Sequence, residues 1–360
     1  MRGEAGALRD YSVQVLRDGQ APSGAFVAAP SFAVYGFAWL RDGAFCAHAM
    51  DVAGEGARAR AFHEWAAEAI ERQRPRIAAA VGAVRDGGID PARDGPRMPP
   101  TRFTLEGLLE RGGDEEWPNF QLDGYGMWLW ALREHLADKP LPESLAPAVR
   151  LTADYLAATW PTRCYGCWEE LDDGEHAVTI SAIAAGLRAA AVVLRDDVYH
   201  EAADVVTSHL LERFAVDGRF KRGATDERVD GSLVWAGVPF GVLPPDDQRL
   251  AATVEAIRRD LVGPGGGVYR YRGDTYYGGG QWILLTCSLG WHAAVVGDDE
   301  ERARARDWVV RQARANGDLP EQVYEHAQTP AMIAPWIERW GEVATPLLWS
   351  HAKYLLMEAS

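Results

Sequence analysis

Apolar residues recur at three- and four-residue spacing over most of this 360-residue chain, in stretches dominated by Ala, Leu, Glu and Arg. That periodicity lays one apolar stripe along a helix. It predicts helices near residues 5–18, 41–53, 56–84 (with a break at Pro75), 123–137, 144–159, 175–194, 197–214, 231–240, 247–261, 281–297, 299–315 and 346–358. Period-two alternation is scarce. "VDGRFKRG" and "GVYRYRGDTYY" read as short hairpins. Gly-, Pro- and aromatic-rich loops fill 19–39, 85–122, 160–174, 216–230, 262–280 and 316–345. They recur after about every second helix, whereas paired helices have short joins such as Arg195-Asp196. Long loops inside a compact unit usually carry function. Helix pairs with their long loops gathered at one end describe an all-α fold, an (α/α)6 barrel. No repeat and no low-complexity linker interrupts the sequence, so one domain over residues 1–360 is expected.

Charge narrows the partners. Asp plus Glu number 52 against 37 Lys plus Arg, a net charge of −15 that repels nucleic acid and anionic lipid. The expected partner is small and neutral or cationic, with neither nucleic acid nor membrane involved. The N-terminal stretch carries charges throughout and no uninterrupted run of eighteen apolar residues occurs, so a cytoplasmic location is expected. Cys164 and Cys167 form a C-x-x-C pair, a spacing that can hold a metal or run redox chemistry. The other two cysteines, Cys46 and Cys287, stand alone, and the histidines show neither H-E-x-x-H nor H-x-H. "GPGGG" and "GGGQW" lack the lysine of a phosphate loop. No metal and no cofactor is expected.

Carboxylates beside aromatics supply the candidate chemistry. "YGFAWLRDGAF" groups Tyr35, Trp39, Arg41 and Asp42 at a helix start, where Asp42 could also act as a cap. "WPNFQLDGYG" brings Trp117 and Asp123, and "CWEELDD" brings Trp168, Glu169, Glu170, Asp172 and Asp173. "YRYRGDTYYGGGQW" brings Arg270, Asp274, Tyr276, Tyr277 and Trp282, "GDLPEQVYE" brings Glu321 and Glu325, and "TPLLWSHAKYL" brings Trp349 and Ser350. Each falls at a loop-to-helix junction, where inner helices of a barrel would open onto one cavity. Sugars stack their apolar faces on aromatic rings and have their hydroxyls forked by charged groups. Glycosidic cleavage needs two carboxyl groups across the bond.

In this order, from Tyr35 to Ala352, these motifs resemble the catalytic barrel of glucoamylase-type glycoside hydrolases, family 15, without the N-terminal β-sandwich domain that prokaryotic members often carry. The resemblance implies an inverting exo-hydrolase releasing β-glucose from the non-reducing end of an α-glucoside. It implies Glu169 as general acid and Glu321 as general base. It implies Arg41, Asp42 and Arg270 as groups gripping the terminal glucose, and Glu170 as a contact to the leaving sugar. Tyr35, Trp39, Trp117, Trp168, Tyr276 and Trp282 would be the walls, with Asp274 beside them. Short α-1,6 substrates of the isomaltose type come first. Maltose-type α-1,4 substrates and trehalose are the alternatives, and a non-catalytic sugar-binding barrel is the rival from another class. Glu169, close to Glu321 and Glu170, is expected to have its pKa raised by their charge, while Glu321 stays ionised.

Overall fold

The computed structural model describes residues 2–90, 94–110, 117, 119–170 and 174–360. Along the chain run α1 (Arg2–Asp18), α2 (Leu40–Val52), α3 (Gly56–Arg72), α4 (Arg74–Asp86), α5 (Asp123–Leu136), α6 (Ala146–Thr159) and α7 (Ala177–Leu194). Then come α8 (Val198–Arg213), α9 (Gln248–Leu261), α10 (Ile283–Val296), α11 (Asp299–Gln312), α12 (Ile333–Trp340) and α13 (Leu348–Ala359). Helix α2 packs on α5, α5 on α7, α7 on a 3-10 segment (Gly231–Ala236), that segment on α10, α10 on α13, and α13 back on α2. These six form a closed inner ring. Helices α3, α6, α8, α9, α11 and α1 lie outside, against the inner rungs, so the chain alternates between rings as an (α/α)6 barrel must.

The two rings explain the two kinds of apolar pattern. An inner rung has neighbours on every side, so it is apolar all round. Helix α10 is buried without a gap from Ile283 to Ala293, and α7 from Ala177 to Leu187. By length and composition α7 could cross a membrane, but 78% of it is buried inside the ring, as befits a barrel core. Outer helices bury one stripe: α9 turns Leu250, Val254, Ile257 and Leu261 inward. Its start is fixed by Asp247, whose side chain accepts from the backbone N–H groups of Arg249 and Leu250. Glycine lets α5 and α7 approach closely, because a Cβ on Gly186 would stand 2.6 Å from the Cα of Gly126.

The structure departs from the sequence expectations in three places. The helix expected over 231–240 is a six-residue 3-10 segment, since Pro239 can neither donate to a helix nor fit inside one. Segment 56–84 breaks where Pro75 was expected to break it, into α3 and α4, with Pro75 in the first turn of the second helix. Helix α12 stands where a loop was expected, and Gly341 ends it. The "VDGRFKRG" hairpin forms as β3 (Ala215–Val216) and β4 (Arg219–Phe220), turning on Asp217 and Gly218, both at positive φ. The other expected hairpin does not close on itself. Its strand β5 (Val268–Tyr269) pairs with β6 (Gln281–Trp282), which pairs with β7 (Gln322–Val323). Strand β1 (Ala38–Trp39) pairs with β2 (Arg102–Phe103). Strands β1 and β6 run straight into α2 and α10, so these ladders stitch the long loops at the N-terminal end of the inner ring.

Candidate active site

At that end the long loops surround a cavity of about 650 Å³, within the ~300–1,000 Å³ usual for small-molecule sites. Arg41 and Asp42 reach it from the first turn of α2, Trp282 from β6, and Trp349 from the first turn of α13. Loops add Tyr35, Trp117, Trp168, Glu169, Glu170, Arg270, Tyr276 and Glu321. Helix α12 contributes Trp336, Arg339 and Trp340. Asp172 and Asp173 lie outside the described residues.

The two central carboxyl groups sit in different surroundings. One oxygen of Glu169, Oε1, accepts from Trp39 Nε1 at 2.9 Å, Gln121 Nε2 at 2.7 Å and an Arg41 guanidinium nitrogen at 3.3 Å. These donors fix the carboxyl and leave Oε2 for other work. Its backbone has φ of +61°, a left-handed conformation that strains a residue with a Cβ and clusters at functional sites. Glu321 is buried immediately before β7. Its Oε1 accepts from the Tyr35 hydroxyl at 3.2 Å, and that hydroxyl is 2.8 Å from the hydroxyl of Tyr276. Burial pushes the Glu321 carboxyl up to about 8, against the pull of Arg270 and the two tyrosines. Burial likewise pushes Asp42 up to about 7, partly offset by Arg41.

Arg41 is itself anchored by Gln121 at 2.7 Å and Asp123 at 3.1 Å. Arg270 is gripped by Asp274 at 2.8 and 2.5 Å and by Glu170 at 2.8 Å. Among the described residues, Arg41 Nε, Glu321 Oε2 and the indole N–H groups of Trp117, Trp282 and Trp349 are buried without a hydrogen-bond partner. All five belong to side chains lining this one cavity. A buried polar group is normally paired, and here five unpaired groups surround one space.

The sequence profile of the glycosyl hydrolases family 15 matches residues 9–329. The chain belongs to that family. This family-15 glycoside hydrolase is 42% identical over 358 residues to an isomaltose glucohydrolase of Kribbella flavida, an alignment spanning 97% of this chain and 91% of the relative. A solved glycosidase in complex with glucose shares 40% identity with a TM-score of 0.92, covering 99% of this chain and 96% of its own. A bacterial glucoamylase complexed with acarbose, 22% identical, aligns with a TM-score of 0.75 over 100% of this chain and 56% of its own, and shows the shared fold.

In the hydrolase, all but one of the residues that the resemblance assigns to the site line the cavity, the exception being Asp274; of the other motif residues, Asp123, Tyr277, Glu325 and Ser350 are not on its lining. Asp274 is fully buried behind Arg270, where it takes up the guanidinium and the Tyr276 backbone N–H. Its contacts make it a positioning group for Arg270. Glu170 is on the wall, yet its oxygens are already occupied. It accepts from Arg270, from Arg222 at 2.6 Å and from the Tyr271 hydroxyl at 2.7 Å. Burial alone would raise its pKa, but Arg270 and Arg222 overcome that and hold it below the ordinary range. Glu321, expected to stay ionised, has its carboxyl raised, with burial as the cause. Sequence reading missed Gln121, Arg222, Tyr271 and the α12 wall. Gln121 stands two residues before Asp123 in a stretch already singled out, so adjacency was its available signal. The C-x-x-C thiols are buried, free and protonated; burial pushes Cys164 up to about 12.

Proposed function

We propose that this hydrolase releases β-glucose, with inversion, from the non-reducing end of short α-glucosides, and that α-1,6-linked isomaltose is its preferred type of substrate. The observation that carries the linkage is the 42% identity to an isomaltose glucohydrolase across 97% of the chain. The dimensions agree: a cavity of about 650 Å³ takes a small sugar, and Trp336 and Trp340 wall one side of it.

In this reading Glu169 gives its proton to the glycosidic oxygen as the bond to the anomeric carbon breaks. Glu321 takes a proton from water as that water's oxygen bonds to the anomeric carbon from the opposite face. The products are β-glucose and a free leaving sugar, and each carboxyl returns to its starting state by exchange with solvent. Fixing Oε1 of Glu169 with three donors keeps Oε2 aimed, which is the positioning part of the rate gain. Burial makes the Glu321 carboxylate a stronger base than a carboxylate in water. Asp42, Arg41 Nε, the orphan indole N–H groups and Arg270 hold the glucose hydroxyls.

The test is a panel of isomaltose, nigerose, maltose, trehalose, longer dextrins and soluble starch, assayed for glucose without added cofactor. Proton NMR follows the first product. Highest kcat/KM on isomaltose, with β-glucose appearing before mutarotation, is expected. First-formed α-glucose would overturn the inverting assignment, and a preference for starch would overturn the short-substrate reading.

A further inference from the structure

Far from the cavity, three inner and outer helices bring metal-capable side chains together. Asp51 sits in the last turn of α2, His63 midway along α3 and His135 in the last turn of α5. Their donor atoms all lie within 4.8 Å of one another. Asp51 is ten residues beyond Arg41, and His135 twelve beyond Asp123. At about 1.5 Å per residue the cluster is roughly 15–18 Å from the sugar cavity, at the other end of the barrel.

The cluster is not satisfied as it stands. His135 Nδ1 bonds Asp51 at 2.9 and 3.0 Å. His63 is fully buried, its ring centre 5.1 Å from that of His135, and neither of its ring nitrogens has a partner. A buried imidazole with both nitrogens idle is unusual, because such groups are nearly always paired. The His63 ring therefore offers a lone pair to a cation. Two imidazoles and one carboxylate are the donors that borderline divalent ions take, Zn2+ above all. Helices α2 and α5 both end here, and their C-terminal carbonyls favour positive charge. The side chains of His135 and Asp51 are 15% and 21% exposed, which leaves a way in and room for a water as fourth ligand.

We propose that Asp51, His63 and His135 form a structural site for one divalent transition-metal ion, with Zn2+ as the best fit, clamping α2, α3 and α5 together at the end of the barrel away from the sugar cavity. On binding, the ion takes a nitrogen lone pair from each imidazole and an oxygen from Asp51. Each neutral imidazole binds through one ring nitrogen and keeps its proton on the other, so the step moves no proton off the histidines. The separation of the three positions along the sequence, with no H-x-H or H-E-x-x-H, hides such a site from motif reading.

The test uses the full chain, stripped with EDTA, and Zn2+ alone as probe. One zinc per chain is expected by mass spectrometry of the metal after gel filtration. The melting temperature should rise by on the order of a few degrees at zinc about a hundredfold above its Kd. Asp51→Asn and His135→Gln, both at partly exposed positions, should keep the circular dichroism spectrum and lose both the ion and the shift. Co2+ should give the wild type a visible absorption band of a low-coordinate nitrogen and oxygen site. A wild type that retains no zinc at micromolar free ion overturns the site by itself, whatever the variants do. Zinc binding that survives either substitution in a folded variant overturns it as well.

Discussion

Glu321→Gln should cost the enzyme its activity and stabilise its fold, and the size of the stabilisation should depend on pH. Wild-type Glu321 is 3% exposed, and its second oxygen has no partner. Holding its carboxyl from the ordinary 4.5 up to about 8 corresponds to an order of about 5 kcal/mol of disfavoured ionisation. Because the folded value is raised, the contribution to stability is fully present below about 4.5. It is lost progressively as pH rises toward 8, where the folded protein must also ionise the group. Glutamine keeps an oxygen for the Tyr35 hydroxyl and stays neutral throughout. The variant should therefore melt with the wild type near pH 4.5 and above it at pH 8. Water entry and relaxation bring the realised gain to about half of that order, a few degrees in Tm for a chain of this size. Asp42 titrates in the same window and its charge helps raise Glu321, so removing the Glu321 charge also eases ionisation of Asp42 and adds to the gain at pH 8.

The same burial sets the kinetics. kcat/KM reports the free enzyme, and the base must be ionised to take a proton from water. The acidic limb of kcat/KM should then have its midpoint near 8, with about tenfold loss for each pH unit below it. The assay is initial glucose release from isomaltose across pH 5 to 9 at substrate well below KM, alongside thermal melts of both proteins at the same pH values. A limb centred near 4.5, or a Glu321→Gln melt that tracks the wild type at every pH, would refute the claim that burial governs this carboxyl.

Glu169→Gln should cut isomaltose hydrolysis by about 10²–10⁴-fold and spare much of the rate on α-glucosyl fluoride, since fluoride leaves without a proton; equal losses on both substrates would reassign it. Glu170→Gln leaves Arg222 and Arg270 short of a counter-charge. Because the carboxylate is 29% exposed, the loss of stability should be about 1–3 kcal/mol rather than the ~3–5 of a fully buried pair, read as a lower Tm in chemical or thermal melts. That loss should come with weaker turnover of the fluoride as well as the disaccharide, because Arg270 is loosened; an unaffected fluoride rate would return Glu170 to a pure leaving-sugar contact. Replacing Cys164 and Cys167 with Ser should leave kcat/KM within about threefold, since neither thiol is ionised near neutral pH, and a larger fall in a folded variant would show that the pair does more.

How much of this was legible in the sequence depended on what each feature is made of. The helical period found nearly every rung, because an inner rung and an outer rung are both helices whatever they face. It could not show that Gly231–Ala236 completes a ring of six with only a short 3-10 segment. That role is decided by α7 and α10 packing on either side of it. Aromatic and acidic motifs at helix starts found most of the cavity, since the N-terminal ends of inner rungs converge there by topology. Arg222 was invisible for the opposite reason. It follows a surface hairpin, and only the pairing of its loop with the residue that leads into α7, seen in the bridge between His176 and Gly223, carries it beneath Glu170. Helix α12 was read as loop because Pro335 and Gly341 punctuate it, although Trp336 and Trp340 at four-residue spacing were the signal of a shared face.

The protonation of Glu321 shows most clearly where sequence reasoning stops. Counting charges near Glu169 gave a plausible acid, because Glu170 stands next to it and Glu321 was expected opposite. In the folded chain Glu170 is paired with Arg222 and Arg270, a pairing that no count of neighbouring charges along the sequence shows. Glu321 has one hydroxyl donor on one oxygen and none on the other, inside a wall of tyrosine and tryptophan. Desolvation then outweighs every charge around it. Desolvation is a property of what surrounds a group on all sides, and here those sides come from residues as distant in sequence as Tyr35 and Tyr276. The base proposed here is made strong by the same packing that makes the fold around it costly. The activity and the stability of this enzyme should therefore move in opposite directions when that one carboxyl is neutralised.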